Sequence, residues 1–307
     1  METAMNDHSL PRGLIILGAV LLCAATTSAV AATITVTNTA DSGNGSLRAA
    51  LASASNGDTI NATGVSGTIL LTSGELLVTN SLSILGPGPH SLAINGNSVS
   101  RIFHITSSNN VTIAGLTVTN GSSGNGGGIL NEGSYSNISL TMSNCVITGN
   151  RAATGGGIYH IGYPGNAKLA LLNCTVRSNS ASSSLPFGGG VYNNQGSMTV
   201  SNCTFSGNSA DHGGGIQNSG YGGHASLSVV NSTFSGNSAT FNAGGIFNDG
   251  SNAGHADLTV TNCTFSGNSC GLNGGAILND AEVSGSATLT VLRPQDIAPI
   301  ASASTRV

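Results

Sequence analysis

Tryptophan is absent from the 307 residues, and lysine occurs once, as Lys168. Charged residues make up only 7% of the chain, against about 25% in ordinary domains. With a net charge of −4, the cations of the repeat region (Arg101, Arg151, Lys168, Arg177) lie scattered. They offer none of the basic footprint that nucleic acid requires. No Cys/His spacing of the zinc-finger type occurs. The Gly-Gly-Gly runs do not sit between a strand and a helix, which excludes a phosphate cradle. Disorder would suit a chain rich in Gly, Ser and Asn. It is excluded because 39% of residues are hydrophobic and recur in register.

The N-terminus carries the longest apolar run. Arg12 precedes Leu14 to Ala25, and Ala29-Val30-Ala31 fits a small-residue cleavage site. Residues 1–31 therefore read as a secretory signal. The run is too short to favour a membrane span. Leu22 is bulky where a lipoprotein signal would want a small residue before Cys23. The mature chain is expected to be secreted or at the outer cell surface, with no membrane span.

Self-similarity governs residues 126–292. Asn-Cys-Thr-Phe-Ser-Gly-Asn runs from Asn202 to Asn208 and from Asn262 to Asn268, and from Asn231 to Asn237 with Ser232 in place of Cys. Looser copies begin at Asn144 and Asn173, so the starting residues are 29, 29, 29 and 31 apart. Gly-Gly-(Gly/Ala)-Ile occurs at Gly126 to Ile129, Gly155 to Ile158, Gly213 to Ile216 and Gly274 to Ile277. A third element, Gly-x-Ala-x-Leu-x-(Val/Leu), occurs at Gly165, Gly223, Gly254 and Gly285.

Each element alternates with period two, the pattern of a half-buried strand. In Ser226-Leu227-Ser228-Val229 the apolar residues share one face. Three short strands per unit at a fixed period predict an all-β fold, a right-handed parallel β-helix whose coils stack as parallel strands. Identical positions then form columns. Cys145, Cys174, Cys203, Ser232 and Cys263 make one inward column; Ile147, Val176, Phe205, Phe234 and Phe265 make another. Three Asn columns are expected at the turns: Asn144, Asn173, Asn202, Asn231 and Asn262; Asn150 to Asn268; and Asn131, Asn193, Asn218, Asn248 and Asn279. Asn tolerates left-handed backbone at sharp corners, and stacked amides can bond from coil to coil. His160 falls in the last column and reads as a substituted turn residue.

A terminal coil exposes core and backbone. Residues 46–55 are the one convincing helical stretch, with Ser46 as N-cap and Leu47, Ala50, Leu51 and Ala54 on one face. Residues 32–57 are expected to cap the first coil, and 58–292 to form about eight coils. At 293–307 the repeat stops. A truncated or frame-shifted gene and a short divergent cap both fit, the first being preferred.

The Phe-x-x-Asn units ending at Asn208, Asn237 and Asn268, alternating with Gly-Gly-(Gly/Ala)-Ile, resemble the repeats of polymorphic outer-membrane proteins. Thr35 to Ile60, with Asp41-Ser42-Gly43 and Ser46-Leu47-Arg48-Ala49-Ala50, is similar to the N-terminal motif of secreted bacterial β-helix proteins named for the letters CSLREA; here the Cys is missing and Ala49 stands for Glu. The resemblance spans residues 33 to 291. It implies a pectate-lyase-like solenoid, export to the cell surface and, in the best-known members, adhesion.

Chemistry is harder to find. β-Helix lyases need a basic proton abstractor and clustered carboxylates for Ca²⁺; hydrolases need paired carboxylates. Asp249 and Asp280 follow ladder Asn residues one coil apart and are the cation candidate. Gly223-His224 and Gly254-His255 share a repeat position with Asn166 and Ser286, so they read as a turn column. Five cysteines remain after signal removal, and they read as small buried hydrophobes. No catalytic residue and no cofactor is expected. The expectation is a surface or secreted β-helix used for adhesion or structure, with a surface polysaccharide or a neighbouring cell as partner. A polysaccharide lyase or hydrolase is the alternative, marked by Arg101, Arg151, Lys168 or Arg177 converging with acids in a cleft.

Overall fold

The computed structural model describes residues 30–106, 110–133, 137–163, 166–183, 186–292 and 300–302. Almost all of the segment expected to be a secretory signal, and most of residues 293–307, lie outside these residues. Among the described residues, no helix is long and apolar enough to cross a membrane.

The chain winds as a parallel β-helix. A representative coil runs through Ser139–Ser143, Val146–Thr148, Arg151–Thr154 and Ile158–Ile161. Each segment pairs in parallel with its counterpart in the next coil. Four sheets result, called first to fourth in that order. Among the described residues they hold ten, eight, six and nine strands. The first sheet exceeds the eight coils expected, because Thr33–Thr35 already pairs with Thr59–Asn61.

The third sheet corrects the expectation of three strands per coil. Its segments, such as Arg151–Thr154, bury only one apolar side chain, Ala152. Hydrophobic alternation cannot reveal such a strand. Backbone pairing from coil to coil forms it, and with parallel partners on both sides its N–H and C=O groups are satisfied.

One continuous core fills the solenoid from Val36 to Ile277. Phe205, Phe234 and Phe265 stack within it, with ring centroids 4.7 and 4.8 Å apart and nearly parallel planes. Those spacings match the distance of about 4.8 Å between neighbouring strands, so in-register pairing alone sets the stack. Cys145, Cys174, Cys203 and Cys263 are free thiols buried in the neighbouring column. Cys145 Sγ donates to the Ser143 carbonyl at 3.2 Å, and Cys174, Cys203 and Cys263 repeat the pattern.

The Asn columns divide by role. Asn144, Asn173, Asn202, Asn231 and Asn262 have φ between 50° and 54° and turn the corner from the first sheet to the second. The Asn150 column stands, as expected, at a corner, directly after the left-handed Gly149, Ser178, Gly207, Gly236 and Gly267 and before the strands of the third sheet, whereas the Asn131 column departs from expectation by lying inside strands. Asn150, Asn179, Asn208 and Asn237 are buried, and their amides bond in series to Asn268 at 2.8–3.0 Å. Asn131, Asn193, Asn218 and Asn248 are buried inside strands of the fourth sheet. In both ladders the amide also bonds backbone carbonyls, such as those of Val118 and Ser226, that a hydrocarbon would leave unpaired. His160 belongs to the second ladder and is fully buried, so it is a core residue.

At the N-terminal end, the helix Leu47–Ser53 is capped by Ser46, whose side chain accepts from the Ala49 N–H. Leu47, Ala50, Leu51 and Ala54 join the core. Arg48 fixes the helix to the first coils by donating to the Gly74 and Glu75 carbonyls, both at 2.7 Å, while paired with Asp41. Ile300–Ser302 adds a parallel strand beside Ile277–Asp280 at the opposite end of the fourth sheet.

Candidate functional site

The first sheet carries two outward polar rows. Asn110, Ser139, Lys168, Ser197, Ser226, Asp257 and Thr288 stack in register, one per coil. Two residues earlier in each strand or its approach lie Asn137, Asn166, Gln195, His224, His255 and Ser286. A groove of about 690 Å³ runs over these rows from Asn110 to His224 and Ser226. Tyr163, 60% exposed, stands at its edge, and Lys168 is its one formal cation. No carboxylate lines it among the described residues. Gln195 donates its amide to the Tyr221 carbonyl, which leaves its buried Oε1 without a partner.

The groove floor is held from behind by the amide ladder of the fourth sheet. Asn131 donates to the Lys168 carbonyl at 3.4 Å, Asn193 to that of Ser226 at 3.3 Å, and Asn218 to that of Asp257 at 3.2 Å. Side chains inside the solenoid thus fix the backbone on which the outward polar row stands.

Beyond His224 the rows bring three ionisable groups together. His224 and His255 stack with ring centroids 5.2 Å apart. Asp257 receives His224 Nε2 at 3.2 Å on one carboxylate oxygen and His255 Nε2 at 2.9 Å on the other. Partial burial works against the Asp257 charge, but the Thr288 hydroxyl and the two imidazoles outweigh it and hold the carboxyl below its usual range. The repeat position of the two His residues was read correctly, but it lies at the start of the seven-residue strands His224–Val230 and His255–Thr261, not in a turn. Asp257 sits two residues after His255 on the same face. That shared period-two spacing was the signal available in the sequence.

Asp249 and Asp280 do stack in adjacent coils. Asp249 accepts from the Ser251 N–H at 3.0 Å, which closes the following turn. Among the described residues, the pair belongs to no group of three potential metal ligands; His224, His255 and Asp257 form the one such group.

One cation does converge with acids. Arg101 pairs with Glu75 at 2.8 Å, and His104 bridges Glu75 and Glu132 at 2.9 Å on each ring nitrogen. Arg101 also donates to Ser123 Oγ and to the Asn125 and Gly126 carbonyls. The cluster lies on the outer face of the fourth sheet, away from the groove, and clasps three coils. Among the described residues, no ion pair involves Arg151, Lys168 or Arg177. Further along, Tyr159, Phe187, Tyr192, His212 and Phe247 fill the corner between the third and fourth sheets with ring contacts of 5.1–5.8 Å.

Among curated proteins, none matches the chain. The crystal structure of pectate lyase Pel9A is similar to it at 17% identity and a TM-score of 0.46, over 89% of this chain and 82% of that one. Residues 101–286 match the family described as right handed beta helix region. That span is well over half of the chain, and the protein belongs to the right-handed parallel β-helix family.

Proposed function

We propose that this protein is a non-catalytic β-helix, exported to the cell surface or beyond, that binds polysaccharide along the first sheet. The groove carries the reading. It combines an exposed aromatic face at Tyr163, one cation at Lys168, an unpartnered acceptor at Gln195 and a file of Asn and Ser side chains. Aromatic faces and hydroxyl-bonding groups suit sugar rings, and a lone cation suits an acidic sugar. Successive coils repeat about every 4.8 Å, on the scale of a sugar residue, so an extended chain can meet equivalent groups coil after coil. A hydrolase needs paired carboxylates beside the substrate, and a β-helix lyase needs clustered carboxylates for Ca²⁺ besides its base; among the described residues no carboxylate lines the groove. The repeats' resemblance to polymorphic outer-membrane proteins, and the leader-like N-terminus, support adhesion and export.

A binding and turnover screen of the mature chain against neutral and acidic polysaccharides tests this reading. Binding without cleavage is expected. Lys168→Ala should weaken an acidic ligand by roughly tenfold to a hundredfold, the worth of one charged hydrogen bond. Depolymerisation would favour the second reading, an enzyme, for which the Arg101, Glu75, His104 and Glu132 cluster is the specific observation. In that case Glu132→Gln should abolish cleavage.

A further inference from the structure

We propose that His224, His255 and Asp257 form a site for one divalent cation of the zinc class, at the end of the groove. Two imidazole nitrogens and a carboxylate are the usual protein ligands of zinc. The three ligand atoms already lie within 4.8 Å of one another. The two imidazoles stand 3.2 Å and 2.9 Å from the two oxygens of the one carboxylate, close to the edge of about 3.3 Å that a tetrahedron of zinc–ligand bonds requires. Small side-chain rotations would open the set around an ion. A third-coil residue orients each ligand of the second coil. His255 Nδ1 bonds the Ser286 hydroxyl, which leaves Nε2 toward Asp257, and the Thr288 hydroxyl donates to Asp257 Oδ1. Outer partners of this kind fix ring orientation and carboxylate position in metal sites.

The donor set selects the ion. Calcium and magnesium take six or more oxygens, or an octahedron filled largely by water, and two nitrogens in a three-ligand set do not suit them. Zinc, nickel and copper accept mixed nitrogen and oxygen ligands. Three protein ligands leave a coordination position open. His224 both joins this set and lines the groove, so the open position lies at the groove's end, where a carboxylate or hydroxyl of a bound chain can reach it.

The test is calorimetric titration of zinc into the EDTA-stripped full chain, purified without a histidine tag. One saturable equivalent is expected, with calcium unable to compete. His255→Ser, which installs the residue found at the next position of the same row, should abolish saturable binding while leaving the β-sheet circular dichroism unchanged. Thr288→Val should weaken it by about tenfold, as outer-partner changes do. Cobalt should bind in zinc's place with the visible absorption of a four-coordinate centre. Absence of saturable zinc binding, equal binding by His255→Ser, or displacement by calcium would each overturn the proposal. Polysaccharide binding is measured separately on metal-free protein, so the site and the groove function can fail independently.

Discussion

Replacing His160 by Asn, the residue that its column carries elsewhere, should stabilise the protein and make it less sensitive to acid. His160 is fully buried. Its Nδ1 meets the Asn131 amide at 2.9 Å. Its ring makes no hydrogen bond to Asn193 on the next coil, whose Oδ1 is left without a partner. From Asn193 onward the ladder is unbroken, at 2.6, 2.7 and 2.7 Å through Asn218 and Asn248 to Asn279. Histidine therefore interrupts a series that asparagine would complete. Restoring one buried hydrogen bond contributes about 1 kcal/mol.

The pH term is larger. Burial lowers the His160 imidazole from 6.5 to about 4. Between those values the unfolded chain binds a proton that the folded chain refuses, so stability falls as pH drops through this window. At 1.36 kcal/mol per pH unit, the full loss is about 3 kcal/mol. Urea unfolding of both proteins, followed by circular dichroism at pH 7.5 and pH 4, measures the gap between them. Other titrating groups cancel in that difference. The gap should grow from about 1 to about 4 kcal/mol in favour of His160→Asn. A gap of the same size at both pH values would refute the argument.

Phe234 stacks between Phe205 and Phe265, so Phe234→Ala should cost about 3–5 kcal/mol in thermal or urea unfolding. Asn208→Leu would leave the amides of two neighbouring coils and the Val176 carbonyl short of a partner; it should lower stability by several kcal/mol, more than a surface substitution such as Ser206→Ala. Asp41 is held well below the usual carboxylate range, because the Ser73 hydroxyl, Arg48 and Thr72 outweigh its partial burial. Its contribution is present above the unfolded value of about 4 and is lost as pH falls further, so the stability deficit of Asp41→Asn at pH 7 should shrink in acid. Burial raises the Cys263 thiol, and the hydrogen bond to Cys145 raises Cys174, to about 12. The same hydrogen bond lowers Cys145, but all four column thiols are buried, so a thiol reagent should modify the half-exposed Cys270 in native protein, and Cys145, Cys174, Cys203 and Cys263 only after denaturation.

The parallel β-helix was legible because a solenoid repeats one local solution. Thr-Phe-Ser at 204–206, 233–235 and 264–266 shows the same alternation three times, and in-register stacking follows from the constant spacing. Glycine and left-handed asparagine mark the corners at Asn144, Asn173, Asn202, Asn231 and Asn262 by their backbone preference alone. Ser46 and the apolar face behind it marked the helix Leu47–Ser53 for the same local reason. The third sheet was invisible, because Arg151–Thr154 forms a strand through backbone bonds to other coils and carries no apolar period of its own. Sequence also cannot tell an exposed turn asparagine such as Asn144 from one buried in a ladder; burial and the neighbouring coil decide that for Asn150 and Asn218. The groove and the His224, His255 and Asp257 group are likewise tertiary. Their members lie a full coil or two residues apart, and only the stacking of coils sets imidazoles 31 residues apart in sequence against one carboxylate.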